Sequence, residues 1–278
     1  MKGGWFYEPM MDTVKANIRK NNGKISPIDN NAIQENDKAT QELFNILDNN
    51  NIKKIIENGA NVNAKNDDGD TPLLLAIRNG NDDISELLIE KGAHFNAKGR
   101  YGNTPLLLAT RMNNTKISIL LIELISNFKK YLEDDPAIDA LDRVNSTPLL
   151  NAIDKGNIDI VESLIDNHAK VNAINHDGHI PLLEAIKNGN NDIIKLLIDN
   201  GADVNAKDKY GDTPLSLAIE NDNNDIRELL IKKGANDNAI NDGGDTPLSL
   251  ATENNNTEIK ELSIEKREES NDNNTSSM

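Results

Sequence analysis

Apolar residues recur along most of the chain in short clusters divided by polar turns, and the clusters keep a common phase. From Thr71 onward, Leu73, Ala76 and Ile77 fall on one face of a helix. After a break at Gly80-Asn81, Ile84, Leu87 and Leu88 do so again. Thr71 suits a helix N-cap and Pro72 the first helical position, where a missing N–H costs nothing. The pattern predicts a helix over 72–79, with Asp82 and Asp83 expected to cap a second one. Gly92 then offers a left-handed stop. The segment Gly99-Arg100-Tyr101-Gly102 turns the chain back to the next start signal. One such unit cannot bury its own apolar stripe, whereas stacked units can.

The unit repeats. Thr-Pro-Leu begins at Thr71, Thr104, Thr147, Thr213 and Thr246, with Ile180-Pro181-Leu182 as a variant, at spacings of 33, 43, 33, 33 and 33 residues. This arrangement resembles the ankyrin repeat over residues 38–267. The residues that carry the likeness are Asp208-Lys209-Tyr210-Gly211-Asp212-Thr213-Pro214-Leu215, Ala218, Asn221, Leu229-Leu230 and Gly201-Ala202-Asp203-Val204-Asn205-Ala206. The resemblance implies an all-α solenoid of about seven helix–turn–helix units, with hairpin-like fingers to one side and a concave face that binds partners. Where the family often has His after Thr-Pro-Leu, this chain has Leu74, Leu107, Leu150, Leu183, Ser216 and Ser249. The resemblance therefore implies the loss of one side-chain hydrogen bond between neighbours and a less stable array.

Residues 1–37 form a separate N-terminal segment, with a short helix expected from Met11 to Lys20, Val14 and Ile18 inward. Trp5, Phe6 and Tyr7 cover the exposed end of the first repeat, form a flexible docking motif, or are disordered. Leu43 to Ala64 reads as a divergent first repeat, and the unit from Thr246 as a C-terminal cap, as expected where one face meets water. Residues 268–278 are polar and expected to be disordered. The 43-residue unit, within 104–146, holds ten extra residues. Its second helix is expected to run on from Ile117 through Leu121, Leu124, Ile125 and Phe128 towards Tyr131. Two readings stay open for it: a lengthened outer helix with an acidic loop, or a partner contact built from Phe128, Lys129, Lys130 and Tyr131.

Charge and composition narrow the function. The formal balance is −16, which disfavours nucleic acid, because phosphate binding relies on Lys and Arg releasing counterions. It equally disfavours an anionic membrane. With no cysteine, disulfides and thiolate chemistry are out of reach. No signal peptide or membrane span is visible, so a cytoplasmic location is expected, with export by a non-classical route left open; a monomer is expected. His176 and His179 lack a third ligand, and Asn66-Asp67-Asp68-Gly69-Asp70 lacks the closing Glu of a calcium loop. No phosphate loop or nucleophile turn occurs, and neither metal nor cofactor is expected.

Binding is the expected role, and its residues are sought on the finger tips, four and three residues before each Thr. These are Asp67-Asp68, Arg100-Tyr101, Arg143-Val144, His176-Asp177, Lys209-Tyr210 and Asp242-Gly243. Tyr and Arg are enriched at binding hot spots. The candidate contacts are Arg100, Tyr101, Arg143, Val144, His176, Lys209 and Tyr210 on the fingers, with Arg111, Met112 and Lys155 on the inner helices. Arg78, Asp154, Lys187, Asn188, Glu220 and Asn221 occupy related inner-helix positions. The sequence points to a module that binds a protein and catalyses nothing. A structural scaffold, the anchoring subunit of an enzyme and a host-directed effector remain as alternatives.

Overall fold

A computed structural model describes residues 12–16, 38–45, 49–129, 137–142, 146–175, 177–247 and 249–250. Its helices come in pairs, a short inner one followed by an outer one. They are α1 (Lys38–Asn45) and α2 (Asn49–Glu57), α3 (Pro72–Arg78) and α4 (Asp82–Glu90), α5 (Pro105–Arg111) and α6 (Thr115–Phe128). There follow α7 (Pro148–Asp154) and α8 (Ile158–Asp166), α9 (Pro181–Lys187) and α10 (Asn191–Asp199), and α11 (Pro214–Glu220) and α12 (Asn224–Lys232). No strand occurs among the described residues, and none of their helices is long and apolar enough to cross a membrane. The chain divides into two compact units, residues 1–170 with α1–α8 and residues 171–278 with α9–α12. In the first, inner helices α1, α3, α5 and α7 pack in succession, as do outer helices α2, α4, α6 and α8. In the second, α9 packs on α11, and each of the two packs on its own outer helix.

The start signals act as caps. Thr71, Thr104, Thr147 and Thr213 each accept a hydrogen bond from the backbone N–H three residues on, with Pro next in line. Ile180 gives α9 no side-chain cap. In α11, Ser216 Oγ accepts in return from Thr213 N–H and completes a capping box. Leu74, Leu107, Leu150 and Leu183 are all buried, so apolar packing occupies the positions where the family's His would stand.

The outer helices differ from expectation in one respect. Their N-caps are Asn81, Asn114, Asn157, Asn190 and Asn223, each accepting from the N–H three residues later. Asp82 and Asp83 stand inside the first turn of α4, where a negative charge meets the positive end of the helix dipole. Asn81 wins because its backbone, at φ −96 and ψ 88, is outside the helical region and aims Oδ1 at Ile84 N–H. Three of these Asn side chains also reach back one repeat. Asn114 Nδ2 donates to Asp82, Asn157 Nδ2 to Asn113 and Thr115, and Asn223 Nδ2 to Asn191.

A second ladder runs along the finger bases. Asn63 donates to Gly92 O and accepts from His94 N–H. Asn172 and Asn205 repeat this with the Gly201/Asp203 and Gly234/Asn236 backbones. Consecutive repeats are thus stitched through backbone groups that would otherwise need water.

The insertion lengthens the outer helix. α6 has 14 residues against nine in α4, α8, α10 and α12. Phe128 is buried and its ring lies 6.3 Å from that of Phe95, so its added turn extends the core and leaves Phe128 no surface for a partner. Lys129 is exposed; Lys130 and Tyr131 lie outside the described residues. Residues 12–16 are helical with Val14 buried, while Trp5, Phe6, Tyr7 and Ile18 are outside the described set.

Candidate functional site

The finger tips are built by short polar side chains that hold their own backbone. Asn66 Oδ1 accepts from Asp68 and Asp70 N–H, Asn175 Oδ1 from Asp177 and His179 N–H, and Asp208 Oδ1 from Tyr210 and Asp212 N–H. The finger at Gly99 has no such side chain. Asp70 of the preceding finger substitutes, its Oδ1 accepting from Arg100 N–H at 3.1 Å. A Cβ on Gly99 would lie 2.3 Å from Leu74 Cδ1 and 2.6 Å from Asp70 Oδ1, which explains the glycine.

In the first unit the tip presents Tyr101, 49% exposed, with the Arg100 guanidinium 4.7 Å from its ring centre. Arg100 also pairs with Asp68 at 2.5 Å. Tyr101 takes the left-handed backbone at φ 62, a conformation uncommon for a bulky residue and held by the turn. In the second unit Tyr210 is 58% exposed, with Lys209 Nζ 5.1 Å from its ring centre. The two tips carry the same cation–aromatic pair on consecutive residues. Arg143, Val144 and His176 lie outside the described residues.

On the inner helices of the first unit, Arg111 ends α5 and Met112 caps it with its side chain exposed. Lys155 caps α7 and pairs with the exposed Asp154. Arg78 binds Asp70 at 2.7 Å, and Arg111 binds Asp142 of the following finger. Sequence reasoning found the arginines but not the carboxylates that anchor them, which lie eight and 31 residues away. Both acids are buried to within a few per cent.

In the second unit charge gathers at the corresponding repeat positions. Lys187 Nζ lies 3.1 Å from Asp208 and 3.5 Å from Glu184, and His179 Nδ1 is 3.1 Å from Glu184. Burial alone would lower the Lys187 ammonium, but Asp208 and Glu184 outweigh it and hold the group above its ordinary value. Glu220 is pushed up by partial burial and then by the carboxylates of Asp212, Asp245 and Asp208, with only Lys187 opposing. No group of three or more His, Asp or Glu with the geometry for a metal occurs among the described residues. The calcium-like stretch from Asn66 spends its side chains on the turn and on Arg78 and Arg100.

A family model described as ankyrin repeats matches three times, over residues 43–134, 124–208 and 205–275. No curated protein matches. Among 541 solved chains that match, one is the ankyrin repeat domain of Bcl-3, described as a unique member of the IkappaB protein family. It is 21% identical, with a TM-score of 0.60 over 87% of this chain and 92% of its own. At that identity the likeness speaks to fold alone, and a fold shared so widely does not select a partner.

Proposed function

The chain belongs to the ankyrin repeat family, and from that premise we propose that it is a protein-binding module that performs no chemistry of its own. Ankyrin repeats generally mediate protein–protein interaction; the finer reading places the contact on the finger tips and the open side of the inner helices. The observation that carries it is the pair of exposed tyrosines, Tyr101 and Tyr210, each with a neighbouring cation over its ring. Core packing does not account for either ring, since the turns beneath are held by Asx hydrogen bonds and glycines. A rigid aromatic beside a cation offers apolar area and charge at low entropic cost, the usual make-up of an interface hot spot. Arg111, Met112 and Lys155 extend the surface in the first unit; Arg143, Val144 and His176 belong to it by their register in the repeat. The array runs over residues 38–267 on this reading. It works as a cytoplasmic monomer on a protein target, with neither nucleic acid nor membrane as its ligand.

The test is affinity capture with mass spectrometry, comparing the wild-type chain with an Arg100/Tyr101/Lys209/Tyr210 alanine variant of unchanged helical circular dichroism and melting. A protein captured by the wild type and lost by the variant is the expected result. Capture of the same protein by both moves the site off the fingers. Capture by neither removes the support for a binding role.

A further inference from the structure

The cations of the first unit are mounted in a particular way. Arg78 at the end of α3 and Arg111 at the end of α5 occupy the same position of consecutive repeats, 33 residues apart. Each spends Nη2 on one oxygen of a buried carboxylate, Asp70 or Asp142, whose side chains are 2% and 1% exposed. The other oxygen of each carboxylate is also used: Asp70 accepts from Arg100 N–H and Asp142 from Ser146 N–H. The acids are therefore fixed from behind, and they fix the arginines in turn. The two arginine side chains stay about 40% exposed, and among the described residues neither has another side-chain partner. A guanidinium carries five N–H donors, so each arginine has donors left beyond the one its carboxylate takes. The apolar surface beside them is Met112, 49% exposed, and Tyr101 at the neighbouring tip.

We infer that this face of the first unit receives an acidic protein segment, one carboxylate docking on Arg78 and a second on Arg111. Neighbouring packed helices lie about 8–10 Å apart, so the two carboxylates must be spaced by about that distance. A helix supplies such a spacing at i and i+7, roughly 10.5 Å. Holding the fork in place before binding removes the entropy that a free arginine would lose on docking. The exposed Asp68 and Asp154 are engaged by Arg100 and Lys155, which weakens their repulsion of incoming acids. A phosphate backbone is the poorer fit, because two forks release few counterions. This inference rests on the protein-binding reading above and adds the chemistry of the partner.

The test is selection of a displayed library of random 12-residue peptides on the full chain, followed by fluorescence anisotropy of the recovered peptides. Recovered sequences rich in Asp and Glu, with affinity reduced about tenfold or more by R78Q/R111Q, are the expected result. Removing an arginine strands a buried carboxylate, so the paired variant D70N/R78Q, which neutralises both partners, is measured alongside; it is expected to weaken the same peptides while melting near the wild type. R78K/R111K is expected to lie between, since lysine keeps the charge and loses the fork. Peptides without acidic bias, or unaffected by these substitutions, overturn the acidic-partner inference and leave a binding module in place. Failure to recover any peptide that depends on the chain overturns both readings. Binding of a 20-base-pair DNA duplex that is lost in R78Q/R111Q overturns the protein as the occupant.

Discussion

Single residues decide how far each turn departs from the common pattern. Gly59, Gly92, Gly201 and Gly234 end outer helices with positive φ, but the corresponding place after α8 holds His168 at φ 68. His168 is exposed, so packing gives little in return for that backbone strain. His168→Gly is expected to stabilise the chain by about 1 kcal/mol in urea unfolding. Gly99→Ala should act oppositely, because its Cβ must displace Leu74 or break the Asp70 cap on Arg100. A loss of about 2 kcal/mol or more is expected from overpacking together with a lost buried bond. Partial burial and neighbouring carboxylates disfavour the charged form of Glu220. Its folded pKa is raised above 4.5, first by burial and then by Asp212, Asp245 and Asp208. The folded state thus holds this proton more tightly than the unfolded state. The relative advantage is present below the unfolded pKa and is lost as pH rises through the folded one. Glu220→Gln is accordingly expected to raise the melting temperature at pH 7 and to leave it unchanged below pH 4, as scanning calorimetry would show.

Among elements, the inner helices were the most legible in sequence. Thr-Pro-Leu puts a capping hydroxyl and a pre-set φ at each helix start, both local causes visible within three residues. The outer helices were legible in their apolar face but not in their caps. Asp82 and Asp83 drew the assignment because carboxylates favour helix starts, while the better signal was Asn recurring at positions 81, 114, 157, 190 and 223. The Asn63, Asn172 and Asn205 bridges and the Arg111–Asp142 pair could not be read at all, since each joins residues about 30 positions apart. Phe128 illustrates the same limit, because only packing against Phe95 separates a core ring from a surface one. Asn157 serves two elements, capping α8 and donating to Asn113 and Thr115 of the preceding repeat. Asn157→Ala is therefore expected to cost about 2 kcal/mol in chemical denaturation, roughly twice the loss of an ordinary cap. A loss no larger than that of Thr147→Ala would show that the bridge contributes nothing.

For the whole molecule, the positions that build the repeats leave others free to vary from one repeat to the next. The core positions vary little, whereas the tips change from Asp67-Asp68 to Arg100-Tyr101 and Lys209-Tyr210, and the inner-helix ends from Arg78 and Arg111 to Lys187 and Glu220. Residues that every repeat needs for folding are fixed by packing, and those left over are available for recognition. That is why the fold could be argued from spacing, while the candidate surface required knowing which cations are anchored and which rings are exposed. The central claim, a binding module that contacts its partner through the tips, is met most directly by one affinity measurement. The dissociation constant of the captured partner is determined for wild type, Tyr101→Ala and Tyr210→Ala at matched melting temperatures. One or both substitutions are expected to weaken binding about tenfold or more without unfolding the repeats; unchanged affinity in both would show that the tips do not hold the partner.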